Sequence, residues 1–313
     1  MILIITNRED LTADLGILGF RRRNLPYFRL NTEETLPTLH IGSNGAPQIR
    51  VGTGDFQLDD VTAIWFRRPR YASKLLRNPK HQAFAREEVK HAWSNIFQWL
   101  EGRFWVNHPQ DNRRGANRLW VLQQAAFYGL LIPETLLTAQ ADEARSFVES
   151  HNKSVAKSVG PGYRDDDTGV ASFTTLLNTP AEVPDNLGSS PVLFQAYIDK
   201  VYDWRVTVFG KQVFATRIHS QEEVSGQVDW RQSQRPLRLE ASALPAAVQT
   251  SLLNLLVDLN LPFAAVDFAE DKHGCFWFLE VNPNGQWGWI EQELGTPLSD
   301  GLAVLMEQSI DRF

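Results

Sequence analysis

Phe263-Ala264-Ala265-Val266-Asp267-Phe268, a turn containing Asp271-Lys272-His273-Gly274, then Phe276-Trp277-Phe278-Leu279-Glu280-Val281-Asn282-Pro283-Asn284: this stretch decides how the chain is read. Two apolar runs of strand composition flank turn chemistry, which suits a β-hairpin. Residues two apart on a strand share a face, so Glu280 and Asn282 point the same way. A hairpin closed around His273 and Gly274 puts Asp267 opposite Glu280. Two carboxylates and an amide oxygen then converge on one face of an otherwise apolar sheet. Hard cations such as Mg²⁺ take oxygen ligands of this kind and keep room for water and phosphate. A lone Asp in a strand would read as a solvated residue. An Asp facing a Glu-x-Asn in nearly continuous apolar surroundings favours a metal site.

The composition bounds what surrounds that hairpin. The 313 residues are 43% hydrophobic and 22% charged, the balance of a globular protein with room for two or three cores. No run reaches the length of a membrane span, so no membrane partner is expected. Met1–Thr6 reads as a buried first strand, too short and without the basic start of a signal peptide. The single cysteine, Cys275, excludes an internal disulfide framework and fits a reducing cytoplasm. A net charge of −6 argues against a nucleic-acid partner. Arg21-Arg22-Arg23 reads as a solvated basic loop, and Arg67-Arg68-Pro69-Arg70 is a second local exception.

Along the chain, Ile2–Thr6, Tyr27–Leu30 and Val61–Phe66 read as buried strands. His81–Leu100 reads as a helix with apolar positions at helical spacing. Asn107-His108-Pro109 is turn chemistry and a domain boundary. Helices follow over Ala116–Tyr128, Asp142–Ser150, Leu244–Asn260 and Ser299–Ser309. Strands follow from Ile132-Pro133-Glu134-Thr135, over Ser154–Val159 with Lys157, and over Val192–Ile198. Trp204–Phe209 and Gln212–Ile218 form a hairpin over Gly210-Lys211. The loop Val159–Val170 is acidic through Asp165-Asp166-Asp167. The fold class is α/β.

The polar residues of the second half form an ordered series. Lys157 sits in an apolar strand beside a glycine-containing loop. Phe194-Gln195-Ala196-Tyr197-Ile198-Asp199 could present a backbone edge to an adenine, with Asp203 at the ribose. Asp203-Trp204-Arg205 puts Asp203 and Arg205 on one strand face. Arg217 lies in the partner strand, and Asp229-Trp230-Arg231 offers another guanidinium suited to phosphate. Taken singly, each Arg is a surface ion-pair residue. Taken together, the series resembles the ATP-grasp superfamily of carboxylate–amine ligases, its RimK-like branch, and most of all the microviridin-type (graspetide) peptide maturases. Ile64-Trp65-Phe66-Arg67-Arg68-Pro69 is similar to a tryptophan–double-arginine motif of those maturases. Leu130-Leu131-Ile132-Pro133-Glu134-Thr135 matches the family's strand entry, and Glu280-Val281-Asn282-Pro283-Asn284 matches its metal strand.

That resemblance implies a preATP-grasp domain over residues 1–112 and two ATP-grasp subdomains over 113–191 and 192–313. It implies ATP and Mg²⁺, with Asp267, Glu280 and Asn282 as metal ligands and Lys157 on phosphate. Gln195, Ala196, Tyr197 and Ile198 become the adenine hinge, and Asp203 the ribose contact. Arg217 and Arg231 become the catalytic arginines at the γ-phosphate and acyl phosphate. Arg67, Arg68 and Arg205 become substrate contacts. Arg118 stands where the family has a nucleotide-contacting lysine; it keeps the charge and changes the shape. The implied reaction is ATP-dependent ligation through an acyl phosphate. It would form side-chain esters or amides in a ribosomally made precursor peptide with a leader and an acidic core, in a homodimeric enzyme. A leader would need a groove or an exposed sheet edge, for which the Trp204–Ile218 hairpin is a candidate. Two alternatives share the fold: a ligase adding a free amino acid to a protein or small carboxylate, and a non-catalytic ATP- or peptide-binding protein.

Overall fold

The computed structural model describes residues 1–34, 36–45, 47–51, 60–71, 79–160 and 173–310. The chain divides into two compact units. The first takes residues 1–109 with 286–291 and 297–313, and the second takes residues 110–285 with 292–296. The tail expected in the C-terminal subdomain (192–313) therefore belongs largely with the N-terminal unit. It holds α7 (Gly288–Leu294), which the sequence reading did not anticipate, and α8 (Leu298–Ile310).

In the first unit, β1 (Ile2–Thr6) is buried along its whole length. A strand that is apolar on both faces belongs inside a parallel sheet. β1 pairs in parallel with β2 (Tyr27–Asn31) on one side and β5 (Ala63–Phe66) on the other. β6 (Phe104–Val106) completes the order β2-β1-β5-β6. β3 (Pro37–Ile41) and β4 (Pro47–Val51) form a separate antiparallel pair.

α1 (Leu11–Arg22) has no counterpart in the sequence reading. The Asp10 carboxylate caps it by accepting from the Ala13 N–H at 3.2 Å. Its glycines disguise it, since Gly costs about 1 kcal/mol in a helix interior. Packing reverses that penalty. A Cβ at position 16 would overlap the Trp65 ring, and one at position 19 would overlap the Ser299 carbonyl of α8. The basic triplet is therefore not a loop. Arg21 and Arg22 close the helix, where cations favour its dipole. Arg22 pairs with Asp300 at 3.0 Å, and Arg23 with Glu307 at 2.7 Å. α2 (Pro79–Gln98) packs Trp93, Ile96 and Phe97 among Leu3, Ile5, Ile64 and Phe66.

The double-arginine motif resolves into two different environments. Arg67 and Asp10 are both fully enclosed. Arg67 Nε donates to Asp10 Oδ2 at 3.2 Å and its Nη2 to Oδ1 at 3.4 Å. Its guanidinium also lies 5.7 Å from the Trp65 ring centroid. Arg67 is thus enclosed in a core ion pair, whereas an accessible position is expected of a substrate contact. Arg68 is exposed, and its carbonyl accepts from Asn7 Nδ2 at 2.7 Å.

The second unit contains two antiparallel sheets. α3 (Pro109–Gly115) starts at the expected turn, and α4 (Arg118–Phe127) is capped by Asn117 Oδ1, which accepts from the Trp120 N–H at 3.3 Å. The smaller sheet has the order β7 (Thr135–Thr138), β10 (Val192–Ala196), β8 (Ser154–Lys157), β9 (Thr175–Leu177). α5 (Ala141–Ser150) covers it through Ala144, Phe147 and Val148.

The larger sheet has the order β13 (Leu239–Ser242), β12 (Gln212–Ile218), β11 (Lys200–Phe209), β14 (Phe263–Asp271), β15 (Phe276–Asn282). Alternation divides its side chains between two faces. Trp204, Val206, Val266, Phe268 and Phe278 pack on α4 and α6 (Ala246–Asp258). Each large apolar side chain buried there contributes about 1.5–3 kcal/mol. Asp203, Arg205, Asp267 and Glu280 occupy the opposite face. β13 was not foreseen, and it covers β12 from Ala215 to Ile218. The Trp204–Ile218 hairpin therefore lacks the open edge expected along that stretch.

Candidate functional site

Both sheets of the second unit line one pocket, open to solvent on one side. β14 and β15 set Asp267 opposite Glu280, in the register that the hairpin reading requires. The register then shifts between Asp267 and Phe268, leaving Leu279 as an extra residue on β15. Bulges re-aim side chains near sites, and here Leu279 and Glu280 both line the pocket.

Each carboxylate has its own guanidinium. Arg205 Nη1 donates to Asp267 Oδ1 at 2.8 Å, and Arg118 Nη2 lies 3.0 Å from Glu280 Oε2. Arg118 Nη1 also donates to the Ser158 carbonyl at 2.6 Å. Burial pushes the Asp267 carboxyl up to about 6, with Glu280 adding to the rise and Arg205 opposing it. Burial acts on Glu280 in the same direction, but Arg118 and Arg231 overcome it and hold that carboxyl below the ordinary range. The pair combines one firmly ionised carboxylate with one that is costly to ionise.

Lys157 faces the pocket, and its Nζ donates to Gln195 Oε1 at 2.8 Å. Gln195 Nε2 donates in turn to Thr135 Oγ1 at 3.0 Å. Burial lowers the Lys157 ammonium to about 8, with Glu280 pulling the other way. Gln195 therefore orients the lysine, a different task from the adenine contact expected of it. Ala196, Tyr197 and Ile198 line the pocket. The N–H of Ala196 donates to the Glu134 carbonyl at 2.9 Å and that of Tyr197 to the Lys153 carbonyl at 3.1 Å. Those two donors serve the sheet and are not free to read a base edge.

Asp203 is buried beside Lys200, whose Nζ donates to Asp203 Oδ1 at 2.8 Å and to the Val228 carbonyl at 3.1 Å. Burial raises the Asp203 carboxyl, and Lys200 opposes the rise. Arg231 reaches the pocket from the turn after Asp229, which grips it through Nε–Oδ1 and Nη2–Oδ2 contacts of 2.8 Å each.

Several expected site residues lie elsewhere. Arg217 pairs with Trp204 in the β11–β12 register, so alternation turns it away from Asp267. Its guanidinium lies 4.8 Å from the Tyr202 ring centroid, 5.0 Å from that of Trp204, and 3.4 Å from Glu240. The arginine expected to be catalytic thus lies outside the residues that line the pocket. Arg217→Gln is expected to leave ATP turnover within about twofold of wild type, since distant sites act independently; a larger loss in phosphate release would return it to the site. Asn282 shares the strand face of Glu280, but its Oδ1 accepts from the Asn284 N–H at 3.3 Å and it does not line the pocket. Arg205 acts through its pairing with Asp267 and lies 5.9 Å from the Trp230 ring centroid. The acidic loop falls outside the described residues from 161 to 172.

Sequence reasoning missed Lys200, Phe173 and Thr174, all of which line the pocket. Lys200 carried no readable signal: alternation would set it on the face opposite Asp203, and the register shift between Lys200 and Tyr202 brings the two together. Phe173 and Thr174 carried none. Among the described residues, no cluster of three or more His, Cys, Asp or Glu side chains is placed to hold a metal. The acidic part of any metal site here is the Asp267–Glu280 pair. No described helix is long and apolar enough to cross a membrane.

Residues 1–113 match the family model of the MvdD pre-ATP grasp domain. Over 98% of its length the chain is similar to macrocyclase MdnC from Microcystis aeruginosa MRC, solved with precursor peptide MdnA (24% identity, 99% of that chain, TM-score 0.84). It is similar to macrocyclase MdnB of the same organism over 96% of its length (25% identity, 97% of that chain, TM-score 0.77). A RiPP-associated ATP-grasp ligase from Chryseobacterium gregarium, solved with ADP and a leader and core peptide, matches over 98% (24% identity, 96% of that chain, TM-score 0.85). No curated protein is similar in sequence. Residues 1–113 thus match the MvdD pre-ATP grasp domain, and the chain as a whole shares the fold of these macrocyclases and ATP-grasp ligases.

Proposed function

We propose that the chain is an ADP-forming ligase that activates carboxylates of a ribosomally made precursor peptide and joins them to amines or hydroxyls of the same peptide. One observation carries the reading. Arg118, Lys157, Lys200 and Arg231 line the same pocket as the register-paired Asp267 and Glu280. A polyphosphate requires fixed cations, and a phosphate-bound divalent ion requires carboxylate oxygens beside them. Val155, Ile198 and Leu279 add an apolar wall suited to a purine.

The donor set fits Mg²⁺. Asp267 and Glu280 are hard oxygen donors, and the burial that disfavours Asp267 ionisation is relieved by a bound cation. They would hold the ion, with Asn282 next along the same strand face. The ion supplies charge neutralisation on phosphate oxygens.

The chain's own groups position the reaction. Lys157, aimed by Gln195, and Arg231, held by Asp229, grip phosphoryl oxygens. The substrate carboxylate attacks the γ-phosphorus and ADP departs. The amine or hydroxyl then adds to the acyl carbon, gives up its proton, and inorganic phosphate departs. Arg231 stabilises the charge developed in both steps. No protein nucleophile is needed.

The peptide substrate is supported by likeness to ligases solved with precursor peptides; a homodimeric assembly rests on the resemblance carried in the sequence alone. Phosphate release from Mg-ATP is expected to rise when short peptides encoded beside this gene are added. ADP is the expected product, and the peptide should lose one water per bond. Release driven instead by free amino acids, with peptide mass unchanged, would replace this reading with an amino-acid-adding ligase.

A further inference from the structure

Asp229 is buried, yet it makes no contact that the sheet requires. It precedes a short helical turn over Trp230–Gln232 and accepts from the Arg231 backbone N–H at 3.2 Å. The same carboxylate takes both arms of the Arg231 guanidinium at 2.8 Å. Two parallel N–H···O bonds fix the plane of a guanidinium as well as its position. Asp229 Oδ2 also accepts from the Thr174 N–H at 3.4 Å, and Gln232 Nε2 donates to the Thr174 carbonyl at 3.2 Å. The carboxylate thus joins Arg231 to a second pocket-lining segment, Phe173-Thr174.

The arginine's exposure makes this arrangement informative. The Arg231 side chain is 46% exposed, whereas that of Asp229 is 4% exposed. A solvated arginine on a loop samples many rotamers, and one fork-bonded to a buried carboxylate does not. Burial alone would raise the Asp229 carboxyl, but its bonds to Arg231 hold it below the ordinary range. It therefore stays ionised at neutral pH.

We propose that Asp229 is a positioning residue, which holds the Arg231 guanidinium in one orientation toward the transferred phosphoryl group and locks Thr174 beside it. This rests on the reading of Arg231 as a phosphate-gripping group.

The test is a double-mutant cycle on the full chain, read by phosphate release with peptide present and by ADP binding. Asp229→Asn keeps size but cannot accept both arms of the fork. It is expected to lower kcat about 10–100-fold, the usual cost of losing an orienting partner, with ADP affinity and melting temperature little changed. In an Arg231→Gln background, Asp229→Asn should cost no more than about twofold further, because residues acting through one another are not additive. Turnover of Asp229→Asn within about twofold of wild type, or a loss that adds in full to that of Arg231→Gln, overturns the proposal. Should Asp229→Asn not fold, Asp229→Glu serves: it keeps the charge and shifts the carboxylate by one methylene. The same fall in kcat with unchanged ADP affinity supports the assignment, and wild-type kcat removes it. The outcomes separate the two readings. An Arg231→Gln chain with normal turnover removes Arg231 from the site, and Asp229 with it. A crippled Arg231→Gln beside a normal Asp229→Asn leaves the proposed function standing and removes only the positioning role.

Discussion

Glu280→Gln is expected to reduce ATP turnover at least about a hundredfold, the scale of losing one preorganised electrostatic contact, while the chain stays folded. The substitution keeps shape and removes one charge. Glu280 faces Asp267 in the β14–β15 register and sits 3.0 Å from Arg118. Its low carboxyl makes it the firmly ionised member of the pair. A neutral amide leaves Asp267, which burial makes hard to ionise, as the only carboxylate of the pair. Arg118 and Glu280 are only 17% and 18% exposed, so their pair is worth more than the roughly 1 kcal/mol of an exposed one. Two effects limit the cost of losing it: Arg118 keeps its bond to the Ser158 carbonyl, and the repulsion between Glu280 and Asp267 is removed. Phosphate release measured beside a thermal melt separates the two effects. Wild-type release from a folded Glu280→Gln chain would remove the pair from the reaction.

That hairpin was legible because its signal was local. Period-two alternation fixed which residues share a face, and a short turn fixed the register of Asp267 against Glu280. The same alternation sets Arg217 on the other face. Arg205 and Arg217 lie on neighbouring strands, but Arg217 pairs with Trp204, one residue off the site's parity. Gln195 lines the expected pocket, but its amide points where Thr135, 60 positions away, directs it. α1 was hidden because Gly16 and Gly19 oppose helix propensity, and their reason lies in Trp65 and in a helix near position 300. The first unit is closed by residues 297–313, and nothing in the composition of that tail says which core it joins. Local chemistry could be read from neighbouring residues; long-range partnership could not.

Arg67 shows what this difference means for an experiment. Its motif resembles a substrate-contacting one, yet its environment makes it a stability residue. Arg67→Met is expected to destabilise the first unit by about 3–5 kcal/mol, because it strands the enclosed Asp10 carboxylate without its counter-charge. The double variant Arg67→Met/Asp10→Leu should recover most of that loss, since apolar replacement of both partners is often neutral. It should still lack about 1 kcal/mol, because Asp10 also caps α1 and accepts from Thr6 Oγ1 at 2.8 Å. The pH dependence supplies an independent check. In the wild type, burial works to raise the Asp10 carboxyl, but Arg67 outweighs it and the net shift is downward. A depressed carboxyl stabilises the fold above its unfolded value, and that contribution is lost as pH falls through the folded value. Without Arg67, burial, the largest influence on the carboxyl, is opposed only by the Thr6 and Ala13 hydrogen bonds, and the carboxyl rises from its wild-type value. The gain in stability with rising pH that Asp10 gives the wild type should therefore shrink in Arg67→Met. Denaturant unfolding across acidic pH reads both slopes. A variant with wild-type stability at every pH, but unable to process peptide, would show that Arg67 meets the substrate after all.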